Sequence, residues 1–131
     1  MEPIIVFGSE SEGLSVVGVG GLRGSAPEQA LVQVRADGLS ATRWISEYPD
    51  FGGLVQYFAE LERHWRGWQG TKSWISLEGD LALAATHTGS HVAISVSLET
   101  PWRWKAQVDF SVGAGEELSA ARVAVASVFT P

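Results

Sequence analysis

The 131-residue sequence contains no cysteine. That one absence excludes disulfides, thiolate metal sites and cysteine nucleophiles together. Charge is sparse: 18% of residues are Asp, Glu, Lys or Arg, and the net charge is −6. A nucleic-acid binder must neutralise phosphates with lysine and arginine, so DNA and RNA are not expected partners. Long hydrophobic runs are missing as well. The longest near the N-terminus, Ile4-Ile5-Val6-Phe7, is too short for a signal-peptide core, and nothing approaches a membrane span. The expectation is a soluble, cytoplasmic protein with no membrane partner. No linker or low-complexity tract divides the chain, so residues 1–131 read as a single domain. With 45% hydrophobic residues, it has enough apolar material for a real core.

The segment from Gly8 to Ala26 is the loosest part, rich in glycine, although Val16, Val17 and Val19 allow a short strand. Leu31–Arg35, Asp37-Gly38 and Leu39–Ile45 read as a β-hairpin, because Asp-Gly supplies the positive φ that a two-residue turn needs. A helix follows. Asp50 is placed as its N-cap, and Phe51, Leu54, Val55, Phe58, Leu61 and Trp65 form its apolar stripe. Gly67 is its expected terminator.

The second half reads as a four-stranded antiparallel meander over 72–77, 80–87, 91–99 and 102–112. A two-residue turn at Gly89-Ser90 pairs His87 with Val92, Ala85 with Ile94, Leu83 with Val96 and Leu81 with Leu98, all on the apolar face. Alternation extended back along the last strand also puts Trp102 and Trp104 on that face. At Glu78-Gly79, a two-residue loop buries Trp74, whereas a three-residue loop buries Ile75 and Leu77; both remain open. The tail from Glu116 to Phe129 has helical spacing, with a final strand as the alternative. The fold class is therefore α+β: an antiparallel meander sheet with one face covered by one or two helices.

Catalytic signals are weak. His87 and His91 flank one turn but fall on opposite faces, so they cannot share a metal, and no metal or cofactor is expected. There is no Gly-x-Ser-x-Gly elbow, and the glycines at 18–24 lack the lysine-serine pair of a phosphate loop. Glu78/Asp80 and Glu116/Glu117 have ordinary solvated or capping roles at a turn and a helix start. The weakest of the readings is a hydrolase or isomerase using His87 or His64 with a carboxylate brought close by folding. Six tryptophans are the unusual feature. Most fill the core on this reading, while Trp68 and Trp44 fall on no assigned stripe and are the candidates for exposure. Trp68, Trp44, Arg66 and His87 are the candidate ligand- or partner-binding residues, because Trp and Arg dominate interface anchors.

The run Trp65-Arg66-Gly67-Trp68-Gln69-Gly70, followed by Trp74-Ile75-Ser76-Leu77-Glu78-Gly79-Asp80-Leu81, resembles a family of small uncharacterised actinobacterial proteins. The likeness continues more weakly through Ala85-Thr86-His87 and Val92. It implies no reaction, cofactor or catalytic residue. By analogy with small acidic α+β proteins that act as immunity partners of toxins, it implies a binding role. The leading expectation is a non-enzymatic binding protein, an immunity-type inhibitor of a basic protein partner steered by the acidic charge. The alternative is a small-molecule-binding domain with a Trp-lined pocket between helix and sheet.

Overall fold

A computed structural model describes residues 1–24 and 26–131. The chain runs through β1 (Ile4–Gly8), β2 (Gly13–Arg23), β3 (Ala26–Ala36), β4 (Leu39–Ser46) and α1 (Gly52–Arg63). It then repeats the plan with β5 (Thr71–Ile75), β6 (Leu81–His87), β7 (His91–Thr100), β8 (Trp104–Gly113) and α2 (Glu116–Phe129). Each set of four strands is an antiparallel meander in its own sheet, ordered β1-β2-β3-β4 and β5-β6-β7-β8. The α+β class holds, and the N-terminal half adds a full second sheet around the Asp37-Gly38 hairpin.

The inner faces of both sheets and the apolar stripes of both helices share one core. Val16, Val32, Val34 and Ile45 from the first sheet meet Leu83, Ile94, Val96 and Leu98 from the second. Phe58 and Leu61 of α1 and Leu118 and Val125 of α2 complete it. Each such side chain contributes roughly 1.5–3 kcal/mol by leaving water. Phe51 and Phe129 stack at 4.3 Å, joining the start of α1 to the end of α2.

Register in the second sheet follows from alternation. His87, Ala85, Leu83 and Leu81 pair with Val92, Ile94, Val96 and Leu98. Trp74 pairs with Leu83, which is the register of the two-residue loop, and Ile75 and Leu77 are exposed. The tail is helical from Glu116 to Phe129.

Four expectations are corrected. Asp50 does not cap α1: its Oδ1 accepts from the Gly52 N–H at 2.8 Å, and Phe51 occupies the N-cap position. The helix ends at Arg63 rather than running to Gly67, so Trp65 lies beyond the last turn and is exposed instead of joining the stripe. Trp102 and Trp104 are not buried. Trp102 sits in the β7–β8 turn, fully exposed, and Trp104 at the first residue of β8 is 40% exposed. The parity was right for Trp104, which pairs with Thr100, but the sheet has run past its cover there. Asp80, finally, is not a solvated turn residue; it is 2% exposed.

Candidate functional site

Two of the four proposed binding residues, Trp68 and His87, meet where α1 leaves for β5 and β6 turns into β7, and Arg66 lies beside them in the chain. His87 Nδ1 accepts from the Gly89 N–H at 3.1 Å, so its proton sits on Nε2, which donates to the Trp65 carbonyl at 2.7 Å. Both ring nitrogens are thus spent on backbone, leaving none to act as a base or metal ligand. Trp68 packs edge-on against His87 at 5.1 Å, with the Lys72 ammonium 5.8 Å from its ring centre. It is half-buried against the core, and its enclosed indole N–H has no acceptor among the described residues. Arg66 lies over the Trp65 ring at 5.2 Å. The corner is mostly packing, with Trp65 and Arg66 as its exposed part.

Trp44 stands apart, on the outer face of the first sheet and 50% exposed. A one-residue bulge at Val17 turns Gly18 and Gly20 of β2 to that face. The indole lies across their bare backbone: a Cβ on Gly18 would touch its Cη2 at 3.5 Å, one on Gly20 its Cζ3 at 3.9 Å. The glycine-rich stretch is the bed of this ring.

The end of β6 away from His87 holds a cluster that sequence reasoning missed. Asp80, in the β5–β6 turn, accepts from Ser76 Oγ at 2.6 Å and from Arg43 Nε at 2.9 Å. Arg43, on β4, also donates to Thr100 Oγ1 at 2.9 Å, and Ser76 Oγ accepts from the Leu81 N–H. Two sheets are pinned by one carboxylate. Nearby, Glu47 accepts from the Leu77 N–H. Burial raises the Glu47 carboxyl above its ordinary range; the Leu77 bond opposes this and the Asp80 charge adds to it. No local pattern announces a contact 37 residues apart.

Above this cluster projects the β7–β8 turn. The Arg103 N–H donates to the Thr100 carbonyl, closing a four-residue turn with Pro101 second and Trp102 third. Trp102 has φ +68°, the conformation that a type II turn reserves for glycine or asparagine. It is the one non-glycine residue with positive φ among the described residues. A bulky residue there costs roughly 1–2 kcal/mol. The same ring is fully in water, flanked by exposed Arg103 and Trp104. Proline followed by tryptophan at the usual glycine position was the available signal.

An open groove of about 360 Å³ lies on the second sheet, lined by residues that include Ser73, Trp74, Ala84 and Ser95. The apolar cavity between the sheets and helices is about 20 Å³, lined by residues such as Val32, Phe58 and Val125, with no tryptophan. A small-molecule site needs several hundred cubic ångströms. Among the described residues, no three His, Asp or Glu side chains gather as a metal site, and no helix is long and apolar enough to cross a membrane.

Fold and surface together define a small α+β chain of two meander-helix units whose unusual chemistry is exposed tryptophan. The chain belongs to the family of unknown function DUF6228, which it matches over residues 21–131. No curated protein and no solved structure matches it.

Proposed function

We propose that this protein is a non-enzymatic binding protein that engages a protein partner through the β7–β8 turn. One observation carries the reading: Trp102 is held in a backbone conformation costly for its type while its whole ring faces solvent. Strain and exposure both disfavour tryptophan at this position, so a contact outside the fold is the natural account of it. Tryptophan and arginine are the residue types most enriched at interface anchors, and Arg103 is its neighbour.

The net charge of −6 supports a basic partner at long range, as an immunity-type inhibitor would have. The turn itself carries Arg103, so the partner surface touching it is acidic or neutral. Steering and docking thus draw on different charges.

Parallel capture from lysate with wild type and Trp102→Gly as baits tests the reading, followed by titration of the purified partner against both. Trp102→Gly should weaken binding by about 2 kcal/mol or more, roughly thirtyfold, while the fold is kept. Equal affinity for both baits overturns it.

A further inference from the structure

Two meanders leave four edge strands, and three of them are blunted. β1 carries a register shift between Ile5 and Phe7. β4 points the charged Arg43 inward, to Asp80. β5 is five residues long, and its Lys72 carbonyl is taken by the Tyr57 hydroxyl at 2.9 Å. Bulges, inward charges, shortness and cover are the usual protections against edge pairing.

β8 has no bulge and no inward charge, although Lys105 and Asp109 stand on its outer face and β1 approaches it at Phe7–Phe110. β8 is ten residues long, pairs with β7 without a register shift, contains no proline, and among the described residues has no strand hydrogen-bonded to its far side. Its inward positions Ala106, Val108, Phe110 and Val112 are all apolar. Trp104, Val108 and Phe110 are incompletely covered by the chain itself.

We infer that β8 pairs antiparallel with β8 of a second copy of this chain, about a two-fold axis through Gln107. Strand sequence alone sets the register. With the axis at Gln107, Lys105 faces Asp109 of the other copy on the outer side, twice by symmetry, and Gln107 faces its counterpart. On the inner side Trp104 faces Phe110 and Ala106 faces Val108, again twice. Moving the axis one residue, to Val108, sets Asp109 against Gln107 and Lys105 against Ser111, losing both charge pairs. Moving it to Ala106 sets Lys105 against Gln107 and Trp104 against Val108, and the new partners of Asp109 and Phe110, Arg103 and Trp102, lie in the turn outside the strand.

The surface offers room at the right place. Phe110 packs edge-on against Phe7 at 5.3 Å, and a groove of about 260 Å³ opens beside them, lined also by Gly8, Ser9 and Glu12. The incoming Trp104 ring arrives at this groove. Pairing over Trp104–Phe110 joins two sheets into eight strands and leaves Trp102 in the turn, outside the ladder. The dimer therefore presents two Trp102 rings, and it stands or falls independently of what they bind.

Sedimentation velocity of the full chain across the micromolar range, with native mass spectrometry of mixtures, tests the pairing. Wild type should be a dimer. Lys105→Glu and Asp109→Lys should each weaken it about tenfold to a hundredfold, since either turns two attractive contacts into two repulsive ones. Mixing the two single variants restores opposite charges at both contacts, so a heterodimer should form where neither variant dimerises alone. Asp109 faces the neutral Ser95 on β7, so Asp109→Lys leaves the subunit's own sheet without a charge clash, whereas Lys105 faces Glu99 there, so the melting temperature of Lys105→Glu is read alongside its dimerisation. Trp102→Gly should leave dimerisation intact. A monomeric wild type, single variants as dimeric as wild type, or a mixture that fails to pair would each overturn the inference.

Discussion

Removing the Asp80 carboxylate should unpin the two sheets. Asp80→Ala deletes the acceptor for Ser76 Oγ at 2.6 Å and for Arg43 Nε at 2.9 Å. A hydrogen bond to a charged group contributes about 1.5–3 kcal/mol, and a buried hydroxyl left without its partner costs about 1–3 more. The Arg43 side chain is 25% exposed and keeps its bond to Thr100, so water recovers part of the loss on that side. The expected net destabilisation is about 3 kcal/mol, or a melting temperature lower by roughly 10 °C in a chain of this length. Glu78→Ala, two residues away and exposed, should stay within about 0.5 kcal/mol of wild type. Guanidinium unfolding followed by tryptophan fluorescence measures both, with an unchanged slope showing that the change lies in stability. Asp80→Ala indistinguishable from Glu78→Ala would refute the clamp.

Trp102→Gly removes the positive-φ penalty but loosens the unfolded chain, so stability should be unchanged or higher by up to about 1 kcal/mol; a loss above 1 kcal/mol would mean the ring packs on the fold. Phe58→Ala, fully buried, should cost about 3–5 kcal/mol, whereas Trp104→Ala in the monomer should cost about 1–2 kcal/mol; equal costs would contradict the exposure of Trp104. Glu47 holds its proton more tightly folded than unfolded, so wild type should lose stability relative to Glu47→Gln as pH rises from 4.5 through the raised value. Parallel unfolding curves from pH 4 to 7 check the sign, and a flat difference would sink it. Chelation with EDTA should leave the melting temperature unchanged, because His87 and His91 lie on opposite faces; a shift would reveal a metal.

Strand pairing in the second sheet was legible because two-residue alternation permits one register that buries Leu81, Leu83 and Ala85 against Leu98, Val96 and Ile94. The same rule failed at Trp102 and Trp104. Alternation says which way a side chain points, and whether anything covers it depends on where neighbouring elements stop. Trp65 failed for a related reason: periodicity continued one turn further than the helix, which ends at Arg63. The first sheet was harder, because the bulge at Val17 breaks the alternation and the Trp44 bed looks like a flexible glycine run. Asp80 was invisible, since its partner Arg43 lies on the other sheet.

The repeated plan of four strands and a helix explains where the unusual residues fall. Each meander ends by handing its chain to a helix, and each helix packs back over the shared core. The helices meet each other, and α2 also lies on β1. The sides they cover are closed to a partner. What remains open is the edge of β8 towards Trp104, away from the Phe7–Phe110 contact, with the turn at its head and the outer sheet faces. Apart from Trp65, beside the end of α1, the exposed tryptophans lie on those open parts: Trp102 and Trp104 at the head of β8, Trp44 on an outer face. Trp68 and Trp74, by contrast, pack against the core near α1. Tryptophan is costly to leave in water, and here it is left there where the fold has surface to offer. That division, more than the count of six, is what favours recognition over core filling for Trp102 and Trp104.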